Sequence, residues 1–358
     1  MKNNYRILAI NPGSTSTKMA VYENGKELLR TNIEHSANEL AVFPRIGDQY
    51  DMRKSGILSY LQASNMPVST IDAIASRGAP LPPIKGGAYL INEKMAERIR
   101  VRPYIEHASN LAVLIGFDLS KEWNIPAYIY DGISTDELSD ISRISGMPSI
   151  PRKSLVHTLN MKAVCRKVAL KWNRDYETIT AIVAHLGGGI TLSIHQNGKM
   201  IDVVSDDEGP FSPERAGRVP CNQLIIECYS GQYDLQTMKK MSRGRGGLVA
   251  HLNTNSALEV EKKIKEGDEK AKLIYEAMAY QVAKSIGELA TVVEGKVDGI
   301  ILTGGIAYSN TITDWITKRV RFIASVEIIP GENELESLAL GVERVLLGKE
   351  DAHTYDLE

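Results

Sequence analysis

Apolar residues fall in short blocks along the chain, and most blocks end at glycine, proline or asparagine. Residues 6–29, RILAINPGSTSTKMAVYENGKELL, read as a strand, a Pro-Gly turn rich in hydroxyls, a second strand and an Asn-Gly hairpin. Residues 182–199, IVAHLGGGITLSIHQNGK, repeat that order with three glycines in the turn. The two copies are offset by 174 residues at the first glycine (187 − 13) and by 173 at the hairpin asparagine (197 − 24). A match of this kind predicts a duplicated domain.

Alternating strand and helix signals follow each hairpin, which predicts an α/β fold. In the first half IDAIAS (71–76) and AYIYD (127–131) read as buried strands around a helix at 110–123. The spacing at 152–172 predicts an amphipathic helix, and the stretch Pro148 to Pro151 before it marks a domain boundary. The second half predicts a long helix near 269–294 and strands at 297–305 and 326–331. A last helix at 333–348 puts Leu335, Leu338, Val342, Val345 and Leu346 on one face, and the polar tail after Gly348 reads as loose. The expected domains are 1–150 with the helix about 335–348, and 151–334.

Composition narrows the class. A chain of 358 residues can bury two cores, and its net charge of −2 gives no reason to expect nucleic acid or membrane as partner. Three cysteines without a CxxC pair fit a reducing compartment, and no leading signal segment is read, so the cytoplasm is expected.

The candidate chemistry lies at strand ends. A Gly-rich turn with hydroxyls and Lys18 suits an anion, because small residues let backbone N–H groups approach it. The turn joins two strands, however, so it is not the usual phosphate loop that opens a helix. VDGIILTGGIAYS (297–309) supplies a third Gly-rich strand exit at Gly304 and Gly305. Arg77 follows a strand directly, and Arg215 and Arg218 lie in the stiff loop GPFSPERAG and its continuation. Such guanidinium groups grip carboxylates or phosphates, whereas Arg218 reads more readily as a surface residue. His185 holds the strand-end position equivalent to Asn11, while His157 is either a structural histidine on a helix face or a site residue. His107 reads as a helix-start residue. Asp131 is either a crevice-facing carboxylate or a helix N-cap, and Glu334 is either a first-turn carboxylate or an indirect metal ligand.

INPGSTSTK, SRGAP, EHASN, AHLGGG, GPFSPERAG, ILTGG and PGENE resemble, in order, the motifs of the acetate kinase family, in the form carried by its butyrate kinase branch. The resemblance runs to about residue 347. It implies two duplicated ribonuclease-H-like (actin-like ATPase) domains around a central nucleotide cleft, the first on the acyl-substrate side and the second on the nucleotide side. It also implies ATP-dependent, reversible phosphorylation of a short-chain carboxylate, with ATP/ADP and Mg²⁺ as cofactors and a homodimer or higher homo-oligomer as the assembly. An acetate or propionate substrate is the alternative, and a nucleotide-switched actin- or chaperone-like module is the non-kinase one. By motif, Asn11 and Ser14, with Lys18 beside them, would meet the transferred phosphoryl group and its Mg²⁺. Arg77 and Arg215 would flank the carboxylate, His157 would donate to phosphoryl oxygens, and Asp131 would orient groups. Glu334 would act through the Mg²⁺ shell, His185, Gly187, Gly188 and Gly189 would hold the ATP phosphates, and Gly304 and Gly305 would border the nucleotide. Two departures are visible: Gly188 stands where acetate kinases carry asparagine, and NTNSALE (253–259) replaces the stretch that packs near adenine, so no adenine contacts transfer.

Overall fold

The computed structural model describes residues 4–356. The strands of its first half are β1 (Arg6–Pro12), β2 (Ser16–Glu23), β3 (Lys26–Glu34), β4 (Ala73–Ser76), β5 (Ala88–Leu90) and β6 (Ala127–Tyr130). Those that follow are β7 (Thr180–Leu186), β8 (Ile190–Gln196), β9 (Lys199–Val204), β10 (Gly299–Gly304), β11 (Val326–Pro330) and β12 (His353–Thr354). The chain forms two compact units, one of Met1–Asp136 with Asn333–Glu358 and the other of Glu137–Glu332. No described helix is long and apolar enough to cross a membrane.

Each unit is built on the same five-strand order. In the first, β3-β2-β1-β4-β6 form the body of a seven-stranded sheet; in the second, β9-β8-β7-β10-β11 form the whole sheet. The hairpin pairs are antiparallel and the last three strands of each set run parallel. The hairpin turns Asn24-Gly25 and Asn197-Gly198 all have positive φ, as a type I′ turn requires. A register shift enters at Val21/Tyr22 in one unit and at Ile194/His195 in the other. The shift and the turn recur at one offset, 173 residues (195 − 22 and 197 − 24), so the repeat read from sequence extends to backbone irregularities.

Burial explains the apolar runs. In the second unit Ile182, Ala184 and Leu186 face a core shared with Tyr275, Met278, Val282 and Ile286 of the helix Glu269–Val292. Ala181 and Val183 face the other core, with Met161, Val164, Cys165 and Val168 of the helix Thr158–Lys171. A parallel strand covered on both faces must be apolar throughout. In the first unit the helix Ser109–Trp123 packs Leu111, Val113 and Ile115 with Leu8, Ile10 and Ile74.

Three expectations change. The units divide at Asp136/Glu137 and Glu332/Asn333 rather than near 150 and 334. Residues just after 136 are tied to β9: Glu137 accepts from the Met200 N–H at 2.8 Å, and the Ser139 N–H donates to the Ile201 carbonyl at 3.0 Å. The helix expected over 152–172 begins at Thr158. Arg152 holds the preceding segment extended by donating to the Ser142 carbonyl, Asp202, Glu208 and the Val203 carbonyl. The tail is not loose: β12 pairs with β5, and Tyr355 is buried in the first unit's core.

Candidate active site

In the first unit the site gathers at the ends of β1 and β4. Gly13 closes the hydroxyl turn by donating its N–H to the Ser16 carbonyl at 2.7 Å, and Ser14 and Thr15 stay exposed. Neither the Ser14 nor the Thr15 N–H donates to any described residue. Asn11 is buried beneath this turn and pairs across the ladder with Lys18, so the exposed lysine rises from the same face.

Glu334 is the hub of this cluster. It opens the helix Glu334–Leu346, accepts a hydrogen bond from the Asn11 amide and forms an ion pair with Arg77. Sequence places these three residues far apart, and the parallel pairing of β1 and β4 brings the first two together: the Arg77 N–H donates to the Ile10 carbonyl at 2.9 Å. Glu334 is thus a first-turn carboxylate of that helix. His107 accepts from the Ser109 N–H at the start of its helix, as a capping residue. Desolvation, and then the charge of Arg77, lower its pKa, which keeps the ring neutral at physiological pH.

Asp131 follows β6 with φ of 39°, fully buried, and its Oδ1 accepts the Gly87 N–H at 2.8 Å. No helix begins near Ser134, so the N-cap reading falls away. Gly78, the residue after Arg77, lies against Gly132: a Cβ at 78 would stand 2.8 Å from the Gly132 Cα. The two strand ends therefore pack backbone to backbone, with Arg77 and Asp131 at their exits.

The second unit carries the other candidates. His157 does not lie on a helix face; it immediately precedes the helix Thr158–Lys171. Its ring stacks on that of His185 at 3.8 Å and 11°, and its Nδ1 lies 2.9 Å from Thr191 Oγ1. His185 is 1% exposed, with Nδ1 2.9 Å from Asn160 Oδ1. Its Nε2 is 3.0 Å from Glu332 Oε1 but is not aligned for a hydrogen bond. The glycine turn is pinned from outside: the Gly188 carbonyl accepts from the Ser212 hydroxyl at 2.7 Å and the Glu214 N–H at 3.2 Å. That contact mounts the loop 212–215 on the turn, and a Cβ at Gly189 would stand 3.3 Å from Arg215 Nε. Glycine here admits the guanidinium.

Arg215 lies 2.9 Å from Asp206 Oδ2, and Asp206 also pairs with Arg243. The Arg215 Nε is buried and, despite that proximity, is not aligned for a hydrogen bond. Arg218 is a surface residue that pairs with Glu288 at 2.9 Å. Gly304, at the end of β10, has φ of 90°. Gly305 borders a cavity of about 570 Å³, also lined by Ile306, Tyr308 and Ser309 and by Ser256, Ala257 and Leu258. The 256–258 segment falls within the stretch from which the resemblance transferred no contacts. The sequence signal was only its position in the motif order.

Residues 150–342 match the model of the acetokinase family. Butyrate kinase 2 of Clostridium acetobutylicum is 48% identical over 353 residues, covering 98% of this chain and 99% of that protein. Among solved structures, acetate kinase of Porphyromonas gingivalis superposes with a TM-score of 0.78 at 19% identity, covering 96% of this chain and 100% of that one. A propionate kinase of Francisella tularensis gives 0.73 at 19% identity, covering 94% and 98%. The fold is therefore that of the actin-like ATPase-type kinases, a pair of sheets built on one strand order. The chain belongs to the acetokinase family, and it is a carboxylate kinase.

Proposed function

We propose that the protein phosphorylates butyrate or a branched relative with ATP, reversibly, giving acyl phosphate and ADP. The observation that carries this reading is the cluster of an outward-facing N–H turn with Asn11, Glu334 and Arg77. A carboxylic acid has a pKa of about 4–5, so the nucleophile is ionised at neutral pH and needs no general base. A carboxylate oxygen attacks the γ-phosphorus while the bond to the β–γ bridging oxygen breaks, and ADP leaves with that electron pair. The barrier is repulsion between anions together with alignment. Arg77 and Arg215 neutralise the carboxylate and phosphoryl oxygens, His157 donates to the latter, and Asp131 orients the strand exits. The turn at Ser14, with Asn11 and Lys18, cradles the transferred group on the acyl-substrate side. His185 and Gly187 to Gly189 hold the ATP phosphates, and the cavity beside Gly304 and Gly305 takes the nucleoside.

Asn11 and Glu334 fit a Mg²⁺ ion as one amide and one carboxylate donor, because Mg²⁺ is commonly held by one or two protein ligands with substrate phosphates and water. Among the described residues no cluster of three or more His, Cys, Asp or Glu is placed to hold a metal, so substrate phosphates would complete the shell. The ion would supply charge neutralisation on the triphosphate.

The acyl preference rests on the butyrate kinase relative rather than on pocket lining. Ala79 and Val156, close in sequence to Arg77 and His157, are buried in the cores of their own units, and Gly78 is required by its contact with Gly132. Two extra methylenes are worth about 0.8 kcal/mol each when buried, so butyrate should exceed acetate by roughly tenfold in kcat/KM. A hydroxamate-trapped series over acetate, propionate, butyrate, isobutyrate and valerate measures this. Acetate as the best substrate would overturn the acyl assignment, and no acyl phosphate from any of them would overturn the kinase assignment.

A homodimer or higher homo-oligomer is the proposed assembly, and the exposed apolar helix Cys221–Cys228 is the surface that supports it. None of its residues is buried, and Leu224, Ile225 and Ile226 face solvent with Tyr229 beside them. So short a helix gains little stability from its own hydrogen bonds in water. Light scattering after size-exclusion should show a dimer or larger assembly that Ile225→Asp dissociates; a wild-type monomer would count against it.

A further inference from the structure

Arg53, on the helix Tyr50–Ala63, is fully buried at 0% exposure. Its Nε donates to Gln49 Oε1 at 3.1 Å. One terminal amino group donates to the Ser16 carbonyl at 2.8 Å and to Thr17 Oγ1 at 3.0 Å. The other donates to the Ser14 carbonyl at 3.1 Å and to Gln49 Oε1 at 2.8 Å. Every acceptor is neutral. A guanidinium does not lose its proton in proteins, so a full charge is buried without a counter-charge, which is costly.

Its position gives that charge a use. Arg53 lies behind the hydroxyl turn and grips two of the turn's carbonyls. The Ser14 carbonyl and the Thr15 N–H belong to one planar trans peptide and point opposite ways. Anchoring the carbonyl on Arg53 therefore turns the Thr15 N–H outward. His35 braces the same turn from β3's end: its N–H donates to the Thr15 carbonyl at 2.9 Å, and its ring lies 2.9 Å from Thr17 Oγ1. Burial, and then Arg53 itself, lower the His35 pKa, so Arg53 remains the one cation of this bracket near neutral pH.

We propose that Arg53 is a positioning residue for phosphoryl transfer, clamping the Ser14 and Ser16 carbonyls so that the turn presents its N–H groups, and leaving its charge to be compensated by the phosphoryl group. This rests on the reading of that turn as the phosphoryl cradle. Lysine cannot span both carbonyls and Gln49 from one nitrogen. Steady-state kinetics on folded Arg53→Lys should show kcat reduced tenfold or more, with KM for the carboxylate within twofold of wild type. Arg53→Ala should regain several-fold in kcat with added guanidinium and none with sodium chloride of matched ionic strength. Gln49→Met keeps the charge and most of the packing but removes two contacts, and should lose kcat a few-fold. It decides the matter if the Arg53 variants do not fold. Unchanged kcat in folded Arg53→Lys or in Gln49→Met would overturn the inference while leaving the kinase reading intact. Wild-type protein that forms no acyl phosphate would overturn that reading and the inference with it.

Discussion

Replacing Arg77 or Arg215 with alanine is expected to lower kcat/KM for acyl phosphate formation by roughly 10²–10³, the usual cost of removing one donor aimed at developing charge. The two residues are mounted differently, and the difference sharpens the test. Arg77 is fixed by its N–H on the Ile10 carbonyl and by the ion pair with Glu334. Its loss leaves Glu334 on Asn11 alone, so a change in Mg²⁺ dependence should accompany the fall in rate. Arg215 is fixed by a loop pinned to the Gly188 carbonyl, with Asp206 shared between it and Arg243. Its loss leaves Asp206 paired, so metal dependence should be unchanged. Both side chains are partly exposed, and pairs of that kind contribute about 1 kcal/mol or less, so melting should shift little. Arg218→Ala is the control, since its partner Glu288 lies on the surface and near-normal kinetics are expected. Near-normal kcat/KM in Arg77→Ala or Arg215→Ala would show that the residue does not meet the reacting groups.

What could be read from the sequence follows from how local each signal is. The two hairpins were legible because Asn-Gly fixes a two-residue turn and the flanking apolar runs fix the strands. Arg77, Asn11 and His185 were legible as positions because each is a polar residue at or beside the end of a strand that an apolar run fixes. The start of the helix at Thr158 was not, because Leu155 and Val156 continue the apolar period while Arg152, through contacts with β9 and its neighbours, keeps that segment extended. Tyr355 was missed for a similar reason. A two-residue strand carries no periodicity, and only the edge of β5 explains why a polar tail docks. Arg53 precedes Lys54 in a helix of mixed polarity and drew no reading from the sequence; its burial appears only when β2 and the hydroxyl turn are packed against it.

Gly304→Ala is expected to destabilise the second unit by about 3–5 kcal/mol, combining strain at a left-handed backbone position with forced overpacking. The φ of 90° is the first contribution, because a Cβ there meets its own backbone. The second is the neighbour. A methyl at 304 would collide with the carbonyl oxygen of Leu186 and stand 2.8 Å from that residue's carbonyl carbon and nitrogen. Those atoms end β7, which is hydrogen-bonded on both sides and buried on both faces, so they cannot yield without moving the turn that begins at Gly187. Gly305 is the matched control: a Cβ there meets nothing within 4 Å, and its φ is not left-handed. Gly305→Ala should melt within about 0.5 kcal/mol of wild type, as surface substitutions generally do. Because Gly305 lines the 570 Å³ cavity, that variant should instead raise KM for ATP and leave KM for the carboxylate unchanged. Chemical denaturation followed by circular dichroism, with ATP kinetics on both variants, measures the contrast. A Gly304→Ala protein as stable as wild type would mean that the strand exit is not the rigid backbone contact described here.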